Sequence, residues 1–500
     1  MNSKYFKIEK MKKQILKLFT VLTLGTGMSS CGSDFLETDY YTGIDIDSGL
    51  SSVNNIATAL NGTYYQLFRQ YFAGNYAVTI GDVPTDLAYW NSKTGHWDDI
   101  YTFTYTDTDT YLYYIWDYGY KVADNAARII QASKALYDNA SESDKANLDL
   151  YMAEAYALRG YAQLVLTNVY AHQIKVNGTD HSDKLGIVVI DEPIQALTEV
   201  SRSTVGESYQ AIIADFNNAL TCFNKAGGDR SSLVYLGVAA TQGLLARTYL
   251  YMEKWSDAKT QAQAALATAG ITTLNYGDSY AGLYYNSTSN EESFFALAIN
   301  ESKNWSANSC GTLWTTYNFS PSPKLLSLYG ENDCRTTIFG WAATSTEAAP
   351  VFNGGKFTHK ESMNPAYATN YIVNAPEMYL IIAEASLNGA GSLDDAKEAL
   401  LKVAMRNADI QSVNDLPASK EDVMSFIKDE RARELFQEGH RLYDLRRWDE
   451  SASVYAYSAP EIKFTFNNYK ISDLVFPIPS DEITAGFGVT QNDWSNTLPK

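Results

Sequence analysis

Cysteine and histidine are scarce in this chain, which limits the chemistry that it can carry. Its 500 residues include four cysteines and five histidines, and neither set has the spacing of a zinc site or of an HExxH motif. We therefore expect no metal site and no cofactor. Calcium bound through oxygen atoms alone would leave little trace in a sequence, so this expectation concerns the other metals.

Three of the cysteines lie beyond residue 31, at Cys222, Cys310 and Cys334. Two arrangements fit their spacing. Cys310 and Cys334 could form one disulfide in an oxidising compartment, or all three could remain as buried thiols.

Basic residues are in deficit, and long apolar runs are missing after the first thirty residues. The chain has 39 Lys and Arg against 58 Asp and Glu, which gives a net charge of −19. Such a surface repels nucleic acid and strongly sulfated polymers, so neither is expected as a partner.

A membrane-spanning helix needs about 18 consecutive apolar residues, and no segment after the first thirty residues offers them. We therefore expect the chain beyond its leader to be soluble.

The first thirty residues have the pattern of a secretory leader. Basic residues from Lys10 to Lys17 precede an apolar stretch, Leu18 to Met28, and small residues follow. A charged start, a short apolar core and a small-residue exit are typical of a signal peptide. As a helix the apolar stretch would rise about 16 Å, too short for a hydrocarbon core of about 30 Å.

A cysteine follows this leader directly. Cys31 favours lipoprotein processing, and the alternative is an ordinary signal peptide followed by a cysteine by chance. We predict that residues 1–30 are a lipoprotein signal peptide, that Cys31 carries lipid and that residues 31–50 form a polar tether. Translation starts at Met1 or at Met11, since both precede a complete leader.

Helical periodicity recurs along the rest of the chain. The segment Tyr151 to Tyr170 carries apolar residues at alternating steps of four and three, which places them on one helix face. The residues on that face are Tyr151, Ala155, Leu158, Ala162, Val165 and Val169. A further helix is predicted over residues 208–223.

Two later segments each predict a pair of helices joined by a short turn. The first pair covers residues 233–251 and 257–267, and the second covers 376–387 and 393–406. Pro376 and the Ser392–Asp395 spacing are helix start signals. Each pair spans about 34 residues, the length of a tetratricopeptide repeat. Residues 51–500 are therefore predicted to form a mostly α-helical domain with tetratricopeptide-like helix pairs.

Two regions interrupt the helical pattern, at about 75–110 and 270–365. Both are rich in Gly, Asn, Ser, Thr, Asp and aromatic residues. Long loop-rich insertions in a compact domain are usually functional. They are predicted to form a loop-rich binding face.

Short motifs spread along the chain resemble the SusD/RagB family of nutrient-binding outer-membrane lipoproteins of Bacteroidetes. Each motif alone is weak, but the six occur in the family's order. They are Cys31–Glu37, Ala153–Arg159 followed by Gly186–Val189, Ser201–Val205, Pro376–Ala385, Glu430–Phe436 running on to Asp444–Trp448, and the tail from Phe476 to Asn492. One departure is Asp86-Leu87, which keeps only the acid of an Asp-Glu pair that is frequent in the family.

The resemblance implies a glycan-binding protein that does not catalyse a reaction. It also implies a partner, a SusC-type TonB-dependent transporter in the outer membrane, over which the protein sits as a lid. On this basis the protein is expected to be lipid-anchored in the outer membrane and exposed at the cell surface.

Candidate ligand-binding residues come from the loop aromatics and their polar neighbours. A pyranose ring stacks its C–H face on an aromatic ring, while amide and carboxylate groups bond its hydroxyl rim. The predicted ligand-binding residues are Asp86, Trp90, Asn91, Trp97, Trp305, Trp314 and Tyr317. Trp341 is a weaker candidate, and each tryptophan could instead anchor its own loop. Trp116 lies in a tyrosine-dense apolar run and is predicted to be in the core.

A cluster of acids and arginines at residues 429–449 resembles a catalytic site, but a buried ion-pair network is the favoured interpretation. Helical spacing predicts the pairs Asp429–Arg433 and Arg431–Glu434. Three other functions stay open at this point: a peptide-binding RagB-like uptake protein, an adhesin and an all-helical glycoside hydrolase. A hydrolase would need two carboxylates about 5–9.5 Å apart, and no motif identifies such a pair.

Overall fold

The fold was obtained as a computed structural model. It describes residues 49–91, 93–317, 319–346, 351–357, 364–456 and 464–499, without the side chains of residues 316 and 317. The predicted signal peptide, Cys31 and residues 31–48 of the predicted tether lie outside the described residues.

The structure is built mainly from α-helices, as predicted. In chain order the longer helices are α1 (Val53–Phe68), α2 (Thr110–Tyr137), α3 (Glu142–Tyr170), α4 (Val205–Ala226), α5 (Val238–Tyr251), α6 (Trp255–Ala269), α7 (Ala375–Ala385), α8 (Leu393–Ala404), α9 (Lys420–Glu434) and α10 (Arg441–Arg447). Short helices cover Tyr76–Thr79, Asp98–Tyr101, Cys310–Thr312, Pro323–Leu328 and Ser480–Thr484.

Helix α3 is the centre of the first half of the domain. It packs against α1, α2 and α4, so burial extends around the helix instead of following one face. Even Glu154, Arg159 and Gln163 are buried. A methyl group at Gly160 would lie 2.8 Å from the ring of Phe216 in α4, which shows how closely the two helices approach.

The two predicted helix pairs are present as α5–α6 and α7–α8, and α6 packs against α7. Ser392 and Asp395 form the capping box that starts α8. Helix α5 starts at Val238, five residues later than predicted. The reason is that the Asp229 carboxylate accepts the Val238 N–H at 2.7 Å and so holds the preceding residues in a loop.

The strands are short and pair antiparallel in twos. They are β1 (Ala88–Trp90), β2 (Lys175–Val176), β3 (Thr179–Asp180), β4 (Ser293–Leu297), β5 (Phe319–Pro321), β6 (Asn370–Asn374), β7 (Ser451–Tyr455) and β8 (Phe464–Lys470). Within the described ranges the pairs are β1–β5, β2–β3, β4–β6 and β7–β8. Pairing of Trp90 with Phe319 joins the two loop-rich regions that the sequence predicts.

The first loop region is also fixed to the segment before α10. The Asp82 carboxylate accepts the backbone N–H groups of Gly439 at 3.1 Å and of Arg441 at 3.2 Å. A methyl group at Gly81 would lie 2.0 Å from the Gly439 carbonyl oxygen. Only glycine at position 81 therefore permits this approach of the two chains.

Acids and arginines of α9 and α10 form a buried ion-pair network, as predicted. At its centre Arg335 bonds Asp333 at 2.7 Å, Glu430 at 2.7 Å and Glu434 at 3.0 Å. Glu434 also contacts Arg406 at 3.3 Å, which extends the network to a second arginine.

The pairs predicted inside α9 are wrong. Arg433 bonds Glu430 at 2.5 Å, not Asp429. Arg431 bonds Asp444 of α10 at 2.7 Å. Arg433 thus pairs three residues back in its own helix, whereas tertiary packing gives Arg431 a partner in α10, and helical spacing alone does not select between such partners.

Candidate ligand-binding surface

Partly exposed aromatic rings gather around one arginine where three distant segments meet. We name this set the aromatic platform: Tyr65, Arg69, Tyr71, Tyr114, Tyr118 and Trp305. The Arg69 Cζ atom lies 5.7, 5.1 and 5.0 Å from the ring centroids of Tyr65, Tyr71 and Trp305. Cation–π attraction at such distances holds the guanidinium among the rings.

Helix α2 supplies one side of the platform. Tyr114 and Tyr118 are four residues apart and so lie on the same helix face. The ring of Tyr71 stacks on Tyr114 with centroids 4.1 Å apart and lies 5.0 Å from Tyr118. All three rings are partly exposed, and this edge of the platform therefore presents aromatic surface to solvent.

Trp305 both anchors its loop and completes the platform. Its indole N–H donates to the Phe68 carbonyl oxygen at 3.0 Å. Behind it, the Asn75 amide donates to the Asn308 carbonyl oxygen at 2.9 Å. The indole ring is thus held in place before any ligand arrives, while the residue stays partly exposed.

Two predicted loop tryptophans are buried, which corrects their interpretation as exposed rings. Trp97 is 1% exposed and stacks on Tyr111 with centroids 4.3 Å apart. Trp314 is also 1% exposed and packs 5.0 Å from Phe436. Polar residues beside these tryptophans in the sequence suggest exposure, but they do not determine where the rings pack. A large aromatic side chain gains much free energy from burial.

Trp90, at the end of β1, is partly exposed and lies 6.1 Å from the Tyr101 ring. Asn91 beside it is 4% exposed, and its side-chain oxygen accepts the Lys93 N–H at 3.0 Å. Trp90 belongs to the β1–β5 pair and is treated as a separate candidate.

Asp86 is 1% exposed and is held in an ion pair. Arg441 bonds both of its oxygens at 2.9 Å, and Lys324 lies 2.5 Å away. Burial alone would raise the pKa of Asp86, but these two cations lower it well below its usual range. The position of Asp86 therefore supports a role in the fold and gives no support to a ligand contact.

The remaining predicted aromatics divide between surface and core. Trp341 is 43% exposed, and Trp116 is 3% exposed, as predicted for a core residue. The side chain of Tyr317 lies outside the described residues.

Five platform residues escaped the sequence reasoning: Tyr65, Arg69, Tyr71, Tyr114 and Tyr118. The tyrosine spacing along α2 was the one available signal, but the same run also contains core residues such as Trp116.

The structure decides between a Cys310–Cys334 disulfide and three buried thiols, the two arrangements that the cysteine spacing left open. Cys222, Cys310 and Cys334 are free, buried thiols. Cys310 lies 3.5 Å from the Thr79 hydroxyl.

Among the described residues, no three His, Cys, Asp or Glu side chains are grouped to hold a metal ion. Nor does this part of the chain contain a helix of the length and apolarity needed to cross a membrane.

The fold and its helix pairs define a helical protein of the tetratricopeptide-like class. Two family models match it in complementary parts: one described as the SusD family over residues 355–494, and one described as starch-binding associating with outer membrane over residues 34–250. The chain belongs to the SusD/RagB family.

Solved structures agree with this assignment at the level of the fold. A SusD superfamily protein from Bacteroides thetaiotaomicron is 22% identical with a TM-score of 0.77, and the match covers 88% of this chain and 99% of that one. A putative sugar-binding protein from Bacteroides vulgatus is 23% identical with a TM-score of 0.76, covering 89% and 99%. A SusD-like carbohydrate-binding protein from the same species is 22% identical with a TM-score of 0.67, covering 81% and 86%. No curated protein matches the chain.

Proposed function

We propose that the protein binds glycan at the aromatic platform and at Trp90, and that it acts by binding and not by catalysis. The observation that carries this proposal is the platform itself, a set of partly exposed rings around a cation. Aromatic faces stack on the C–H faces of pyranose rings, and the tyrosine hydroxyls and arginine N–H groups can bond a sugar's hydroxyl rim.

Membership of the SusD/RagB family supports the same reading. One matching family model is described as starch-binding, and two of the similar structures are described as sugar-binding or carbohydrate-binding proteins. These descriptions belong to the relatives, so the sugar that this protein binds is left to experiment.

Replacing Trp305 or Trp90 by alanine is expected to weaken glycan binding in a protein that remains folded. Loss of one stacking ring costs about 1–3 kcal/mol by analogy with base stacking, or roughly 5- to 150-fold in Kd. Isothermal titration calorimetry against the strongest ligand from a glycan array measures the change. Phe464→Ala is the matched control, since it removes an exposed aromatic ring outside the platform and away from the predicted ligand-binding residues.

Unchanged affinity in both the Trp305 and Trp90 variants would remove these rings from the site. Release of new reducing ends from the glycan over time would contradict a role limited to binding.

We further propose that lipid on Cys31 anchors the protein in the outer membrane at the cell surface. There it would act as the lid of a SusC-type TonB-dependent transporter and pass glycan to it. The leader that precedes Cys31 supports the anchor. The description of the model that matches residues 34–250, associating with outer membrane, supports the location.

This partnership predicts that the protein co-purifies with an outer-membrane barrel from gently solubilised native membranes. A Cys31→Ala variant, which cannot be lipidated, is expected to leave the membrane fraction. Recovery of the lipidated protein as a lone monomer in mild detergent would count against the lid role.

A further inference from the structure

Arg69, in the middle of the aromatic platform, differs from the other arginines. Within the part of the chain that the structure describes, every other arginine bonds a carboxylate or a main-chain carbonyl oxygen. Even Arg446, which pairs with no described acid, donates to the carbonyl oxygens of Asn168 at 2.7 Å and Ala171 at 2.6 Å. The Arg69 guanidinium instead donates to the Tyr65 hydroxyl at 3.3 Å.

The residues around Arg69 attract its positive charge but offer its N–H groups few hydrogen-bond acceptors. Its Nε atom is buried and has no hydrogen-bond partner among the described residues. The ring faces attract the positive charge of the guanidinium, and the acceptors beside it are neutral tyrosine hydroxyls, not carboxylates. The buried Nε is closed to a ligand, so an incoming acceptor would bond the terminal N–H groups of this partly exposed side chain.

No carboxylate of the described residues pairs with Arg69, although acids outnumber basic residues in the chain by 58 to 39. A guanidinium presents its donors as a planar fork that matches a carboxylate with two parallel hydrogen bonds. The fork is here set among rings suited to stacking on sugars. A ligand that fits both features has a pyranose ring and a carboxylate on it.

Given the proposed glycan binding, on which this step rests, we propose that the aromatic platform selects acidic glycans and that Arg69 binds the carboxylate of a uronic acid residue. Trp305 and Tyr71 flank the guanidinium at 5.0 and 5.1 Å, close enough for one sugar residue to contact both a ring and the fork.

The acidity of the whole protein does not oppose this selection at contact distance. The net charge of −19 acts over a screening length of about 8 Å at physiological salt, whereas a bonded carboxylate lies within about 3 Å of the guanidinium. At the far side of the platform, Lys121 lies 4.6 Å from the Tyr118 ring, and Asp117 neutralises it at 2.7 Å. Arg69 is thus the uncompensated cation of the described platform.

The test compares uronic acid oligosaccharides with their own methyl esters. The probes are oligogalacturonate, oligoglucuronate and oligomannuronate, each beside its methyl-esterified form, which keeps the ring and the linkage and removes the charge. Calorimetry with the full mature protein at 0.15 M salt is expected to show that at least one acid binds about 10- to 100-fold more tightly than its ester. In Arg69→Gln this preference is expected to disappear, and in Arg69→Lys part of it is expected to remain.

Lys145→Gln is the matched control, because Lys145 is a cation whose contacts are Glu142 and Tyr137, away from the platform. Its preference for the acid is expected to equal that of the unmodified protein. Thermal unfolding of all variants checks that each is folded.

Two failures have different meanings. Binding of neutral glycans or esters as tightly as the acids, with Arg69→Gln unaltered, would overturn the selection of acidic glycans and leave glycan binding intact. Absence of binding to every glycan on an array, neutral or acidic, would overturn the proposed function itself.

Discussion

Replacement of Arg335 by methionine is expected to lower the free energy of unfolding by about 3–5 kcal/mol. Arg335 is 2% exposed and bonds Asp333, Glu430 and Glu434. Without it, Glu430 keeps Arg433 and Glu434 keeps Arg406, but Asp333 loses the guanidinium that faces it. A buried carboxylate without a cation is costly, because it has lost water and gained no compensating charge.

Urea-induced unfolding of the unmodified protein and the variant measures this loss. Lys145→Met is the matched control, since it breaks a surface ion pair with Glu142, and such pairs contribute about 0–1 kcal/mol. The double variant Arg335→Met/Glu430→Gln is expected to lose less than the sum of the two single variants, because the two residues act on one network. A loss below about 1 kcal/mol in Arg335→Met would contradict the role given to the network.

Lowering the pH is expected to remove a second large contribution to the free energy of unfolding, that of ionised Glu430. Burial alone would raise the pKa of Glu430, but the charges of Arg335 and Arg433 outweigh it and lower the pKa to about 2. A lowered folded-state pKa stabilises the native protein above the ordinary value of about 4.5, and this stabilisation is lost as the pH falls through about 2. The contribution at stake is on the order of 3 kcal/mol.

The measurement is the difference in free energy of unfolding between the unmodified protein and Glu430→Gln from pH 7 to pH 2.5. The difference is expected to be constant above pH 4.5 and to shrink below it. Asp82 acts in the opposite sense, because burial raises its pKa to about 7 and protonation then favours the native state. Comparing the two proteins cancels that effect. Glu398→Gln, at an exposed position, serves as the control, and a Glu430 difference that stays constant to pH 2.5 would refute the assignment.

The helices were accessible from sequence because their signals are local. Apolar spacing and the Ser392–Asp395 capping box lie within a few residues of the helices they predict. The start of α5 was missed because it depends on Asp229, nine residues before the helix, through a hydrogen bond to Val238. The SusD/RagB family could be named because its motifs are short and occur in order.

The binding surface was less accessible, since it exists only after distant segments have packed. The platform combines the end of α1, the middle of α2 and the loop of Trp305, and its central cation, Arg69, has no motif around it. Polar neighbours in the sequence make Trp305 and Trp97 equal candidates for exposure. In the structure Trp305 is partly exposed, whereas Trp97 is buried. Burial depends on what packs against a ring, and that information is not in its neighbours along the chain.

The contacts of Asp82 and Asp86 also constrain the order in which the protein can assemble. Their partners Gly439 and Arg441 come more than 350 positions later in the chain. The ribosome makes the acids first, so both carboxylates stay without these partners until most of the polypeptide exists. A chain that stops before Gly439 therefore lacks the backbone N–H donors that bond Asp82, and its Asp86 has Lys324 as a partner but not Arg441.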